Sequence, residues 1–482
     1  MRISRSVPLF ALVAACGLAA PALAQDAVQA QALPKLDLFS TGREAGLGQD
    51  LWKGASADIA RAVIPTLANR PLSPAGLSLA RRLLAQAATA PDGAGADADL
   101  AAARARALLA LGEAPLADSI LDHTPGLADN AALSQTAAET ALITGQDAKA
   151  CAISDALGAG RDALYWLRLR AYCQLIAGKT DAAQLTFTLA TQQGKDATYA
   201  RLMGVAINGA GDPGPASLRN GLDFALSRRL KLDLTPALAS APLPISAQIA
   251  AANPPAPPAA PTSLSEPDVI APLKAAKGFS AFVAAAKAAR PALAALVAAK
   301  SPMTEPVLEA SAALAAGDID TAQAIRQGMG QASFPGSPPV ELAILDAALA
   351  AAVGKADSPT LDRLSDLGAL SEPKTKARAQ AAAAIGFALG WAMGDAARAE
   401  FIGFDLGRVD APPARLIALQ AAAQSGRVGE TALLALSIAE SAGAAGPNPA
   451  DRAQIIRALD QVGLKGDAQA FAVEGLLSLQ DR

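Results

Sequence analysis

The apolar positions of this chain recur in a helical pattern with a period of 33 residues. Each recurrence has an apolar helix end, a glycine, four further residues, and then a small residue on the buried face of the next helix. Glycine suits the turn because it adopts left-handed backbone angles without steric cost. The small residue allows two helices to cross closely. The pairs that follow this pattern are Gly112–Ala117, Gly145–Ala150, Gly178–Ala183 and, more weakly, Gly211–Ala216.

The second half of the chain keeps the same step at unequal intervals. Gly317, Gly394 and Gly463 each precede an alanine by five residues, and Gly426 precedes Ala432 by six. The alternating runs of β-branched residues that are typical of strands are scarce. The predicted fold class is therefore all-α, an α-solenoid of helical hairpins in two arrays.

A proline-rich stretch separates the two predicted arrays. Residues 235–267 contain nine prolines, which predicts an extended or disordered linker that carries no helix. The predicted organisation is a signal peptide (1–24), an irregular segment (25–47), a first array (48–234), the linker (235–267) and a second array (268–482).

The N-terminus is typical of an exported protein. Arg2 and Arg5 precede an apolar stretch at 7–20, and Ala-Leu-Ala at 22–24 predicts cleavage before Gln25. This stretch is too short for a stable membrane anchor. We therefore expect the mature chain in the periplasm of a bacterium.

The same segment supports a second interpretation. Val-Ala-Ala-Cys at 13–16 resembles a lipoprotein processing box, which would leave a lipid on Cys16 and make the chain an outer-membrane lipoprotein. Because the residues after Cys16 stay apolar as far as Ala24, simple secretion is the favoured alternative.

Composition excludes some classes of partner. The formal net charge is −3 with mixed signs, which gives no basic surface for nucleic acid. Hydrophobic residues make up 52% and aromatic residues 4% of the chain, which favours close packing of alanine-rich helices. The uncharged run at 379–393 is about 15 residues long, so it predicts a core helix and no membrane span.

The period and the glycine-to-alanine spacing resemble those of the tetratricopeptide repeat (TPR) over residues 95–228. Phe187 matches that family's aromatic position in the second helix. The resemblance implies a TPR-like solenoid and says little about the ligand. In that family a small residue also precedes the glycine by seven positions, matched here by Ala105, Ala138, Ala171 and Gly204.

Residues for catalysis are scarce. His123 is the only histidine, and its position before Thr-Pro-Gly predicts a helix C-terminal cap. Ser371 and Lys374 match a Ser-x-x-Lys spacing, but without companion motifs they predict a helix N-terminus. We expect no catalytic, metal-binding or cofactor-binding residues, no cofactor, and no enzymatic activity.

Two cysteines remain if Cys16 leaves with the signal. Cys151 and Cys173 lie at matching levels of successive repeats, which predicts a disulfide in an oxidising compartment. The alternative is two small buried thiols.

One helix combines aromatic and basic residues in the manner of a protein-binding surface. Tyr165, Arg168, Arg170 and Tyr172 are the candidate partner contacts. The alternative is that the aromatics only separate neighbouring repeats, and this is favoured for Trp166.

These patterns predict a non-catalytic periplasmic scaffold that binds a protein or peptide during envelope, flagellar or cell-wall assembly. The alternative is a substrate-holding or regulatory component of a peptidoglycan-active enzyme system. Convergent acidic residues in a closed pocket would favour this alternative, and a polar, featureless face would indicate a simple spacer.

Overall fold

A computed structural model describes residues 36–253, 265–329, 339–369 and 372–480. Within these ranges the chain forms 23 α-helices and four short 3-10 helices, with no β-strand. The described residues from Asp37 onward belong to one compact unit. The predicted all-α, solenoid-like fold of paired helices is confirmed. The predicted signal peptide, its cleavage site and Cys16 lie outside the described residues.

The first half of the chain keeps the 33-residue period. Its helices are α1 (Ala57–Val63), α2 (Pro74–Ala85), α3 (Ala98–Ala110), α4 (Ala114–Asp122), α5 (Ala131–Ile143), α6 (Asp147–Ala156), α7 (Leu164–Ile176), α8 (Thr180–Gln193) and α9 (Ala197–Asn208). The first helices of successive hairpins, α3, α5, α7 and α9, start 33 residues apart. Asp97, Asn130 and Asp196 share one repeat position, and their side chains cap α3, α5 and α9.

Glycine ends the first helix of each hairpin as predicted. Gly112, Gly145 and Gly178 have φ angles of +85°, +82° and +74°. The amide after each glycine bonds back by five residues, as in Glu113 N to Leu108 O at 3.0 Å, which satisfies a carbonyl at the helix end. The small residues at the helix crossings are fully buried: Ala117, Ala150 and Ala183.

The fourth recurrence does not form a hairpin. Helix α9 already ends at Gly209, whose φ is +67°, and Gly211 lies in a loop. The next helix, α10 (Gly221–Arg229), packs on α5 as well as on α9. The chain therefore turns back across the array, so the prediction that Ala216 lies on a helix that follows Gly211 was wrong.

The proline-rich stretch also contains helices. A 3-10 helix covers Thr235–Ser240, and α11 covers Leu243–Ala252 and packs on α3 and α5. The prediction that 235–267 carries no helix was wrong for these residues. Pro242 and Pro244 occupy the cap and first turn of α11, where a missing amide hydrogen costs little. Residues 254–264 lie outside the described ranges.

The second half forms helical hairpins of unequal length. Its helices are α12 (Glu266–Ala275), α13 (Phe279–Ala298), α14 (Pro306–Ala315), α15 (Ile319–Gly328), α16 (Pro339–Ala352), α17 (Ser358–Gly368), α18 (Pro373–Ala388), α19 (Asp395–Phe401), α20 (Pro413–Gln424), α21 (Val428–Ala442), α22 (Pro449–Gln461) and α23 (Lys465–Ser478). Gly317, Gly426 and Gly463 follow helix ends with positive φ, as predicted. Gly394 instead caps the start of α19, and Gly390 follows the end of α18.

The first two helices pack against the last ones. Helix α1 contacts α21, and α2 contacts α21 and α23. The carboxylate of Glu430 accepts Ser56 N–H at 2.9 Å, and Arg82 pairs with Asp467 at 2.7 Å. The two halves are thus joined by polar contacts far from the proline-rich stretch.

The hydrophobic cores do not divide at the proline-rich stretch. The largest cluster extends from Phe39 to Leu477 and includes residues of both halves. A second cluster, from Ala138 to Leu226, belongs to α5–α10. The core boundary therefore lies within the first array, and the predicted domain boundaries stay a prediction.

Two apolar helices, α13 and α18, can be compared with a membrane-spanning helix. Helix α18 buries Ala379–Ala388 except Phe387, so the apolar run at 379–393 supplies a core helix as predicted. Among the described helices, α13 is long and apolar enough to cross a membrane, with 28% of that stretch buried. One such helix is weak evidence for a membrane span, because core helices of soluble proteins meet the same criterion of length and composition.

The glycine endings allow a matched test of backbone strain. We expect Gly178→Ala to lower the free energy of unfolding by about 1 kcal/mol, because an L-residue is strained at positive φ. Gly204→Ala, inside α9, should raise it by about 0.5–1 kcal/mol. No atom of the described residues outside the local backbone lies within 4 Å of an added Cβ at either site, so packing does not differ. Urea denaturation of both variants measures the difference, and equal effects would contradict the role of the turn.

A buried carboxyl group on α14 makes stability depend on pH. Glu309 is buried, and neither of its carboxylate oxygens has a hydrogen-bond partner among the described residues. Burial raises the pKa of Glu309 to about 7, and the negative charges of Glu266 and Glu305 add to this effect. The folded state therefore resists ionisation of a group that ionises freely when unfolded.

We expect the contribution of Glu309 to the free energy of unfolding to fall as pH rises above the ordinary glutamate pKa of 4.5 and to level off above about 7. Glu309→Gln should remove this dependence and stabilise the chain at pH 8 by up to about 3 kcal/mol, at 1.36 kcal/mol per pKa unit. Urea denaturation at pH 5 and pH 8 measures the change, with the exposed Glu400→Gln as control. An equal gain from both variants would refute the prediction.

Candidate functional site

The predicted partner-binding helix, α7, contributes to a cavity of about 450 Å³. The cavity lies between α5, α7, α9 and the start of α10. Its lining includes two predicted contacts, Tyr165 and Arg168, together with Gln135, Glu139, Tyr199 and Asp223. The structure thus places part of the predicted contact set at an open cavity.

Glu139 is the main acid of the cavity. Its carboxylate accepts the N–H of Gly221 at the start of α10, and it accepts Tyr165 OH at 3.3 Å. Burial raises the pKa of Glu139, and the negative Asp223 adds to this, while the two hydrogen bonds partly offset it. Burial and the nearby Glu139 raise the pKa of Tyr165 well above its usual value. Tyr165 and Glu139 therefore form a hydrogen-bonded pair at the cavity wall.

Arg168 supplies the positive charge of the cavity wall. Its guanidinium lies over the ring of Tyr199, 5.2 Å from the centroid. It contacts Asp196 at 3.3 Å, whereas Arg219 holds the same carboxylate with bonds of 3.0 and 3.1 Å. Asp196 also caps α9. Arg168 therefore shares Asp196 with Arg219, whose guanidinium lies closer to that carboxylate.

The remaining residues of the predicted set lie elsewhere. Tyr172 is 1% exposed, and its hydroxyl donates to Asp147 at 2.9 Å, so its assignment as a partner contact was wrong. Tyr172 lies two helical turns after Tyr165, where its side chain packs towards Asp147 at the start of α6. Arg170 donates to Arg161 O at 2.6 Å and does not line the cavity. Trp166 is buried in the core, consistent with the structural role favoured for it.

Some cavity residues escaped sequence reasoning. Gln135 and Arg168 are 33 residues apart, so the repeat register predicts that they share one face. Glu139 lies one turn after Gln135 on the same helix. Asp223 could not be found in this way, because α10 departs from the repeat and its return path is not encoded by the period.

The cavity combines hydrogen-bond acceptors, a cation and two phenol rings. This set suits binding of a polar or peptide group by stacking and hydrogen bonds. His123 lies at the C-cap of α4, where its ring bonds to Ser119 O. Lys374 N bonds to Glu372, the N-cap of α18, and Ser371 lies outside the described residues. Within the described ranges, no group of three or more candidate ligands could hold a metal.

No protein-family model, curated protein or solved structure matches this chain.

A disulfide joins α6 to α7, the helix that contributes Tyr165 and Arg168 to the cavity. Cys151 of α6 and Cys173 of α7 are bonded, with their Cα atoms 5.5 Å apart. Both belong to or pack against the core of α5–α10. The bond therefore links the helix that carries Tyr165 and Arg168 to the preceding hairpin.

We expect the chain without residues 1–24, which include Cys16, to contain no free thiol at Cys151 or Cys173. Alkylation without reduction, followed by intact-mass measurement, should add no label, and reduction should allow two. Replacing both cysteines by alanine should lower the free energy of unfolding by about 3 kcal/mol, because the closed loop of 22 residues is released. Labelling of both thiols in the non-reduced protein would refute the bond.

Proposed function

We propose that this chain is an exported, non-catalytic TPR-like scaffold of a bacterial envelope that binds a segment of a partner protein. The observation that carries the proposal is the cavity between α5, α7, α9 and α10. Tyr165, Tyr199 and Arg168 give it the aromatic and arginine composition of protein-binding hot spots. Export rests on the N-terminal sequence and on the cysteine pair.

The path of the chain limits where a partner fits. Helix α10 crosses α5 and α9, and α11 lies on α3 and α5. Part of the surface of the first helices of these hairpins is therefore covered by the chain itself. The cavity is the part next to α10 that stays open, so we place the partner segment there.

A second candidate function is the holding of a cell-wall fragment for a peptidoglycan-active enzyme. Glu139 and Asp223 converge on the cavity, and tyrosine rings suit stacking on sugars. Both carboxylates already have structural partners, however: Glu139 binds the start of α10, and Asp223 pairs with Arg219 at 2.7 Å. This favours the protein-binding proposal.

A site-specific cross-link tests the proposal. A photoreactive amino acid at Gln135, an exposed residue of the cavity wall, should give a discrete adduct with one envelope protein. The same group at Gln184, exposed on α8, should not. Arg168→Ala should reduce the Gln135 adduct severalfold without lowering the melting temperature by more than a few degrees.

Mass spectrometry of the adduct identifies the partner. Equal adducts from both positions, or none from Gln135, would reject the cavity as the binding site. An adduct with a glycan fragment in place of a protein would support the second candidate.

A further inference from the structure

Two asparagine–glycine pairs lie near the end of the first array, Asn208–Gly209 and Asn220–Gly221. An asparagine side chain is open to attack by the backbone nitrogen of the next residue. Glycine favours this attack because it has no Cβ and leaves the backbone free to rotate. The four other asparagines precede arginine, alanine or proline. At these two pairs, the loss of the side-chain amide therefore depends mainly on the surrounding structure.

Asn208 is held loosely at the end of a helix. It is the last residue of α9, it is exposed, and its side-chain amide has no hydrogen-bond partner among the described residues. Gly209 follows with a φ of +67°, and its N–H donates to Val205 O at 2.9 Å. Because helix ends fray, the nitrogen of Gly209 becomes free to attack when this one bond opens.

Asn220 is held firmly at the start of a helix. Its Oδ1 caps α10 by accepting the N–H of Asp223 at 2.8 Å, and the N–H of Gly221 donates to the carboxylate of Glu139. A Cβ on Gly221 would lie 3.0 Å from Glu139 O and from Leu142 Cβ, so this backbone packs closely on α5. Seven of the nine residues of α10 are buried. Reaction at Asn220 therefore requires the start of α10 to leave α5 with both hydrogen bonds broken.

We propose that Asn208 is a site of spontaneous deamidation in the folded chain, and that the contacts of α10 protect Asn220. The backbone nitrogen of Gly209 forms a bond to Cγ of Asn208, and the bond from Cγ to the side-chain nitrogen breaks. The proton of the attacking nitrogen leaves with that group as ammonia. Water then opens the cyclic imide at either carbonyl. The products are aspartate and isoaspartate, in which the main chain passes through Cβ and Cγ of residue 208.

The modification changes the end of α9. A neutral amide becomes a carboxylate, and this new negative charge lies at the C-terminal end of a helix, where the helix dipole disfavours an anion. Isoaspartate also adds one methylene group to the main chain between α9 and α10. The modified chain therefore frays further at the end of α9.

Incubation of the folded chain in water labelled with heavy oxygen tests the proposal. Opening of the imide incorporates the label, so residues that react before digestion are marked. Trypsin cleaves at the neighbouring arginines and places Asn208 and Asn220 on separate peptides, 202–219 and 220–228. We expect label to accumulate at Asn208 at least about tenfold faster than at Asn220, which corresponds to 1.36 kcal/mol of activation free energy.

Unfolding supplies the matched control. In concentrated urea the contacts of α9 and α10 are lost, so both asparagines should take up label at comparable rates. Asn208→Gln should remove the label from peptide 202–219, because the longer side chain does not form the five-membered imide. The same substitution should leave the labelling of peptide 220–228 unchanged.

Three outcomes would overturn the proposal. The first is no label at Asn208 in the folded chain over a time in which the unfolded chain is labelled. The second is equal labelling of both asparagines in the folded chain, because the contacts of Asn220 would then give no protection. The third is faster labelling of Asn220, which would show that Glu139 promotes the attack by Gly221 in place of preventing it.

Discussion

The carboxylate of Glu474 holds the beginning and the end of the described chain together. One oxygen pairs with Arg452 at 2.9 Å, and the other accepts Ala75 N–H at 2.7 Å in the first turn of α2. The two side chains are 3% and 2% exposed. A buried charge without a partner is strongly unfavourable, so the last hairpin and α2 must dock in one geometry. Arg452 reinforces it with bonds to Pro447 O and Phe471 O.

The local part of the fold could be predicted from the sequence, because local signals encode it. Helix ends follow from glycines such as Gly112 and Gly178, and helix starts from caps such as Asp97. The return of α10 across α5 and the docking of α2 on α23 are not predictable in this way. They depend on complementarity between segments far apart in sequence, which leaves no periodic trace.

The candidate site shows the same division. Tyr165 and Arg168 could be predicted, because helical spacing places them on neighbouring positions of one face. The burial of Tyr172 could not, because it depends on Asp147 and on the position of Arg228 in α10. A helix rich in aromatic and basic residues indicates a binding surface only where no later segment of the chain covers that helix.

The docking of the first helices on the last hairpins sets an order of events during synthesis. Synthesis and the proposed export both deliver the chain from its N-terminus, so α1 and α2 emerge before α21 and α23. The hairpins from α3 to α8 can form from local contacts alone, while the apolar faces of α1 and α2 wait for more than 300 residues. Such non-local closure is slow and leaves hydrophobic surface open to aggregation. The dependence on a chaperone should therefore be concentrated at the first helices of the chain, even though they are made first.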